Sequence, residues 1–126
     1  MTRLILFLCL SLSGFAAAPA PSVLVCGGSM MNGNHFADSV LSVMRQHYAG
    51  VKRVALVLHA SHPADRDRME ARLREAFAHL GGFAAESLHR HDAAGQRALL
   101  EQADGIFVGG GETFALLAEL HRTGQL

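Results

Sequence analysis

The sequence is poor in the features that mark several common protein classes. Its 126 residues contain eleven basic and eleven acidic side chains, so the formal net charge is zero with histidine neutral. No basic stripe stands out, which excludes the electrostatic footprint of nucleic-acid-binding proteins. Of the two cysteines, Cys9 lies in the first twenty residues. If these are removed, Cys26 remains alone and no internal disulfide can form. The length allows one small domain.

Long hydrophobic runs are also missing. The apolar stretch 4–12 is too short for a membrane-spanning helix, which needs about 18 or more apolar residues. With Arg3 before it and small residues up to Ala16 after it, the pattern is instead typical of a secretory signal peptide over residues 1–20. We therefore expect a secreted or periplasmic protein that begins near Ala17 and has no membrane contact after cleavage.

Beyond this leader, short apolar runs alternate with helix-like patterns four times. Strands are predicted over residues 22–27, 53–60, 83–89 and 105–109, and helices over residues 35–48, from Ser61 to Gly81, 93–102 and 112–122. Asn34, Ser61 and Asp92 are the expected helix caps. Four strand–helix units predict an open parallel α/β sheet with helices on both faces, of the flavodoxin-like or class I glutamine amidotransferase-like kind. The chain stops two residues after Gly124, so we expect an incomplete fold that is the N-terminal part of a larger domain.

A run of three glycines joins the fourth strand to the fourth helix, in "IFVGGGETFALL" (106–117). Loops at the carboxyl ends of parallel strands are common ligand sites, and free N–H groups at a helix N-terminus can bind an anion. Phe114 stands where a dinucleotide fingerprint needs glycine, and no lysine is near to make a P-loop. The other interpretation is a tight turn that lets strand and helix pack closely.

The segment "GIFVGGGETFALLAELHRTGQL" (105–126) resembles the dipeptidase E branch of the dipeptidase E and cyanophycinase family of serine peptidases. That branch has a strand, then Gly-Gly-Gly-Asn-Thr-Phe, then a helix with a pair of leucines. The similarity extends over residues 22–126, although only 105–117 is specific. It implies that these residues form the N-terminal part of an α/β peptidase domain that acts on small peptides without a cofactor.

The resemblance also implies roles for individual residues. The third glycine of the loop, Gly111, would donate its N–H to the oxyanion, and Gly110, Glu112 and Thr113 would lie beside the substrate. Glu112 replaces the family's asparagine, and its negative charge argues against a preference for aspartyl dipeptides. The family's nucleophilic serine lies on a Gly-Trp-Ser-Ala-Gly-like elbow after the next strand, and no Gly-x-Ser-x-Gly occurs in residues 1–126. We expect the chain by itself to be inactive.

Two alternatives remain open at this stage. His59 and His62 follow the second predicted strand, and His89 and His91 follow the third, so a metal-dependent hydrolase could use these imidazoles as ligands. Solvated loop histidines would give the same pattern. The glycine-rich loop 27–35 instead allows a non-catalytic periplasmic binding module, or a flexible turn with a cap.

Overall fold

The structure is a computed structural model that describes residues 20–126. The predicted signal peptide, apart from Ala20, lies outside these residues. Among residues 20–126, no helix is both long and apolar enough to cross a membrane.

The described chain forms one hairpin, a three-stranded sheet and four helices. In chain order the elements are β1 (Met31–Asn32), β2 (His35–Phe36), α1 (Asp38–His47), β3 (Arg53–Val57), α2 (Arg66–Gly81), β4 (Ala84–Ser87), α3 (Ala93–Gln102), β5 (Gly105–Val108) and α4 (Thr113–Arg122). Short 3-10 turns at Pro63–Asp65 and Leu88–Arg90 precede α2 and α3. Three strand–helix units therefore follow one another, β3–α2, β4–α3 and β5–α4.

The sheet has the order β4-β3-β5, and both pairings are parallel. Alternate residues of β3 point to opposite faces. Val54 and Leu56 join a core with residues of α1 and α2, whereas Ala55 and Val57 join a second core with Leu99 of α3 and partly buried leucines of α4. A parallel sheet covered by helices on both faces confirms the predicted α/β class.

Phe77 on α2 is at the centre of the larger core and is fully buried. Its ring meets Phe36 and Tyr48 edge-on, with centroids 5.2 Å and 5.1 Å away, and it meets Phe107 of β5 at 5.8 Å. Burying a side chain of this size contributes roughly 1.5–3 kcal/mol. The cluster thus holds α1, α2 and the sheet together.

The predicted strand at residues 22–27 is wrong. These residues have no regular secondary structure, and the side chains of Val23 and Val25 are 88% and 86% exposed, while Leu24 alone packs against the core. Both edges of β3 are already paired, so the segment could join the sheet only at an outer strand. It lies instead beside β5, where residues 20–24 and 103–108 line one groove.

The expected helix caps have mixed outcomes. Asp92 caps α3 as predicted, because its Oδ1 accepts a hydrogen bond of 2.9 Å from the N–H of Gly95. Ser61 does not cap a helix; the next residue, His62, accepts from the N–H of Ala64 through Nδ1 at 3.3 Å. An imidazole acceptor in this place was not visible in the sequence pattern.

The hairpin of β1 and β2 was not predicted either, since each strand has only two residues. Asn34 lies in its turn and does not cap α1; its Nδ2 donates to Oε2 of Glu75 on α2 at 2.9 Å. The carbonyl oxygen of Gly33 accepts from Nη2 of Arg72 at 2.6 Å. The hairpin is therefore fastened to the exposed side of α2.

Candidate active site

The glycine loop lies at the carboxyl edge of the sheet, next to the segment that follows β3. Because β3 and β5 are parallel neighbours, their carboxyl ends meet at the same edge. Two backbone hydrogen bonds hold the loop there. The N–H of Gly109 donates to the carbonyl of Val57 at 3.0 Å, and that of Glu112 donates to the carbonyl of Ala60 at 2.8 Å.

Gly111 is glycine for a local steric reason. Its φ of 144° lies in a region that side chains rarely adopt, and a Cβ at this position would overlap the carbonyl oxygen of Ala60 and lie 2.8 Å from the carbonyl carbon. At Gly110, by contrast, a Cβ would meet no heavy atom within 4 Å. The close approach to Ala60 was not predictable from the sequence, because it is made by a backbone carbonyl on another segment.

The two N–H groups between these fixed points are free. Within residues 20–126, the N–H groups of Gly110 and Gly111 make no hydrogen bond, and both residues are exposed. They immediately precede the N-terminus of α4, whose helix dipole favours negative charge. This arrangement can hold an anion or a developing oxyanion.

Glu112 is the N-cap of α4, and its Oε1 accepts a hydrogen bond of 3.1 Å from the N–H of Phe114. The carboxylate thus accepts from one of the free N–H groups at the helix N-terminus, and it remains exposed to solvent. Thr113 begins the helix and is also exposed, and the ring of Phe114 is 81% exposed beside it. The structure therefore brings Gly110, Gly111, Glu112 and Thr113 to one accessible surface.

His59 follows β3 and is completely buried. Burial lowers the pKa of its imidazole, and the charge of Glu119 acts in the opposite direction. Within residues 20–126, neither ring nitrogen has a hydrogen-bond partner, and the same holds for Oε1 of Gln96. Gln96 is close enough to favour the protonated form of His59, but no hydrogen bond of good geometry joins the two side chains.

A second polar group contains Ser87, His89 and Asp67. Oγ of Ser87 lies 2.6 Å from Nδ1 of His89, and Nε2 of His89 lies 2.9 Å from Oδ1 of Asp67. These contacts have the order of a hydrolytic serine–histidine–acid relay. However, Ser87 is completely buried, and its Oγ also donates to the carbonyl of Leu56 at 3.3 Å. No substrate can reach this hydroxyl, so its role is structural.

Glu70 links this group to α2. Its carboxylate is 3% exposed; Oε1 accepts from the N–H of Ser87 at 3.0 Å, and Oε2 accepts from Nε of Arg90 at 2.6 Å. The hydrogen bond that Arg90 donates to Glu70 raises the pKa of Arg90. The hydrogen bond from His89, together with the charge of Arg90, lowers the pKa of Asp67. Every buried charge here has a partner, as buried charges require.

The structure does not bring the four loop histidines together as metal ligands. His59 is enclosed, His62 accepts from a backbone N–H, and His89 is held by Ser87 and Asp67. His91 pairs with Glu86 at 2.7 Å. Within residues 20–126, no group of ligand atoms combines the two histidine loops.

Comparisons with known proteins identify the family to which this chain is similar. The model of Peptidase family S51 matches residues 23–126. "Peptidase E" of Streptomyces coelicolor is 33% identical over 103 residues, which are 82% of this chain and 40% of that protein. "Probable alpha-aspartyl dipeptidase" of Drosophila melanogaster is 33% identical over 106 residues, covering 82% of this chain and 42% of the relative. The family resemblance is confirmed, and the chain spans about two fifths of the length of these relatives.

Proposed function

The chain belongs to Peptidase family S51, and we propose that the protein carrying it is a serine-type peptidase that hydrolyses small peptides. Residues 20–126 contribute the oxyanion side of the active site. The observation that carries this proposal is the pair of exposed, unbonded N–H groups of Gly110 and Gly111 at the N-terminus of α4.

In this mechanism the N–H of Gly111 donates to the carbonyl oxygen of the scissile bond as it becomes negative. Such donors act when they lie about 2.7–3.1 Å from the position that the oxyanion occupies. The hydrogen bonds to Val57 and Ala60 hold the loop in place before the substrate arrives, so little reorganisation is needed during the reaction. Losing one such donor costs on the order of 10²–10³ in rate.

The nucleophile is proposed to be a serine outside residues 20–126. Within these residues, Ser87 has a histidine–acid pair but is completely buried. Ser22 is exposed and lies 3.4 Å from Nδ1 of His47, but no carboxylate of the described residues orients that imidazole. Residues 20–126 alone are therefore expected to hydrolyse no dipeptide. Serine-inhibitor-sensitive hydrolysis by this segment would contradict the proposal.

Gly111→Ala tests the oxyanion role, with Gly110→Ala as the matched control. The first substitution displaces the donor because its Cβ overlaps Ala60, whereas the second has open space. In the full-length protein we expect Gly111→Ala to lower kcat and kcat/KM together by about 10²–10³, with KM little changed. A peptide aldehyde, which forms a tetrahedral adduct with a serine, should lose affinity in parallel. Wild-type kcat in a folded Gly111→Ala variant would leave Gly111 as a turn glycine only.

The substrate preference is proposed to depend on Glu112. One relative is named a probable alpha-aspartyl dipeptidase, but a carboxylate beside the substrate repels an acidic N-terminal residue. Glu112→Asn should leave kcat roughly unchanged and shift kcat/KM towards aspartyl dipeptides. Steady-state kinetics on matched aspartyl, asparaginyl and alanyl dipeptides would measure the shift, and an unchanged order of preference would remove Glu112 from substrate recognition.

We also propose that the protein is secreted or periplasmic, on the basis of Arg3, the apolar stretch 4–12 and the small residues up to Ala16. N-terminal sequencing of the exported protein should give a mature chain that starts near Ala17. Intact Met1 on soluble cytoplasmic protein would contradict export.

A further inference from the structure

Two histidines and a glutamate converge on the surface of α2, away from the glycine loop. Glu75 and His79 are one turn apart on α2, and His35 of β2 reaches them from the hairpin. One ligand atom from each of the three residues lies within 4.8 Å of the other two. The imidazoles of His35 and His79 are edge to face, with centroids 4.1 Å apart.

Within the described residues, the nitrogens of the two imidazoles remain available for a ligand. Within residues 20–126, the rings of His35 and His79 make no hydrogen bond, whereas His47, His89 and His91 each have a side-chain partner. The edge-to-face contact between the two rings includes no hydrogen bond, so their nitrogens can bind a metal ion.

We propose that His35, Glu75 and His79 bind one divalent transition-metal ion of the zinc type. Two imidazole nitrogens and a carboxylate oxygen suit zinc, whereas calcium and magnesium prefer oxygen ligands alone. At metal–ligand distances of about 2.0–2.2 Å, tetrahedral ligand atoms lie about 3.3–3.6 Å apart. Since all three side chains are exposed, small rotations bring them to this spacing. Water completes the fourth position.

Neighbouring contacts already orient these ligands. The hydrogen bond from Asn34 holds Oε2 of Glu75 and leaves the other carboxylate oxygen for the ion. Arg72 binds the carbonyl of Gly33 through both Nε and Nη2, at 3.2 Å and 2.6 Å, and so fixes the hairpin that carries His35. Such outer contacts commonly set ligand orientation in metal sites. The bound ion would link the hairpin to α2.

The test uses chelator-treated, full-length protein without a polyhistidine tag, titrated with zinc chloride by calorimetry. Variants His35→Ala and His79→Ala are compared with His121→Ala, which removes an exposed histidine from α4. We expect the wild type and His121→Ala to bind one ion at this site. His35→Ala and His79→Ala should each bind zinc at least about 100-fold more weakly than the wild type. Even residues that only orient the ligands change metal affinity by about 10–100-fold.

Further measurements separate this site from loose binding elsewhere. Zinc should raise the Tm of the wild type but not that of His79→Ala, and magnesium should raise neither. Cobalt bound to the wild type should show the visible absorption of a four-coordinate site. Circular dichroism without metal should be the same for all variants. The proposal is overturned if the wild type binds no zinc, or if both His35→Ala and His79→Ala bind it as the wild type does.

Discussion

The carbonyl oxygen of Ala60 accepts the N–H of Glu112 at 2.8 Å, and this hydrogen bond fastens the end of the glycine loop to the segment after β3. The same carbonyl occupies the space that a side chain on Gly111 would need. One backbone group therefore fixes the loop and excludes every residue but glycine at its tightest point.

Gly111→Ala is expected to destabilise the protein by about 2–4 kcal/mol, because it adds backbone strain of about 1–3 kcal/mol to the overlap with Ala60. Gly110→Ala should change stability by less than about 0.5 kcal/mol, since its Cβ meets open space. Urea unfolding of the two variants would measure the difference. Equal stabilities would show that the loop moves freely away from Ala60.

Substitutions at Glu112 test its function as a helix cap. Glu112→Ala removes the acceptor for the N–H of Phe114 and should cost about 0.5–2 kcal/mol. Glu112→Asn should retain or slightly increase stability, because asparagine is among the best N-cap residues. Thermal unfolding would distinguish the two variants. If alanine is tolerated as well as asparagine, the hydrogen bond contributes nothing to folding.

His59 should make stability depend on pH. Because burial lowers its pKa, the folded protein keeps the imidazole neutral, whereas the unfolded chain takes up a proton near the ordinary value of about 6.5. The unfolded state then binds more protons, so stability falls as pH drops below about 6.5, by at most about 1.4 kcal/mol per pH unit. The nearby charges of Glu119, Arg66 and His89 modify this shift without being its main cause.

His59→Phe should flatten this pH dependence. At about pH 7.5 its stability should lie within about 1 kcal/mol of the wild type, because an apolar ring of similar shape replaces nitrogens that have no partner in residues 20–126. At about pH 5.5 the variant should be the more stable protein. Urea unfolding at both pH values would measure the free energy of unfolding of the wild type and of His59→Phe. If the two proteins lose the same stability between these pH values, the pH dependence belongs to another group.

Removing Glu70 should destabilise the contact between α2 and β4. Glu70→Ala leaves the N–H of Ser87 without an acceptor and Arg90 without its closest partner. We expect a loss of about 2–3 kcal/mol, which is less than for a fully buried ion pair because the Arg90 side chain is 47% exposed. Glu101→Ala, at an exposed position of α3, is the control and should be nearly neutral. Chemical unfolding would measure the free energy of unfolding of both variants. Equal losses in Glu70→Ala and Glu101→Ala would contradict the role of Glu70.

The sequence predicted the elements whose signals are local. Residues 53–57 form a strand because a continuous apolar run suits a strand covered on both faces, and Asp92 caps α3 because its acceptor lies three residues before Gly95. Residues 22–27 have the same apolar character, yet they lie beside the edge strand β5 without pairing with it. Pairing depends on which edges other segments occupy, and that information is not local.

The same limit applies to the candidate site. The resemblance to a peptidase family identified Gly111, but the steric reason for glycine there depends on the carbonyl of Ala60. The burial of the His59 ring without a hydrogen-bond partner in residues 20–126 likewise arises only when distant segments pack together, and so do the contacts of Glu70. Backbone carbonyls leave no signal in a sequence, whichever residue carries them.

The central position of β3 also has a consequence for the order of folding. Leu56 pairs with Ser87 of β4 and, across a longer stretch of chain, with Phe107 of β5. Closing the longer loop costs more entropy, so the β3–α2–β4 unit should assemble before β5 docks. β5 is also only half-buried, whereas Val54 to Val57 are all buried. The last strand to arrive should be the first to open, and its amide hydrogens should exchange faster than those of β3. The glycine loop follows this edge strand, and its hydrogen bonds to Val57 and Ala60 tie it to the central strand and the segment after it.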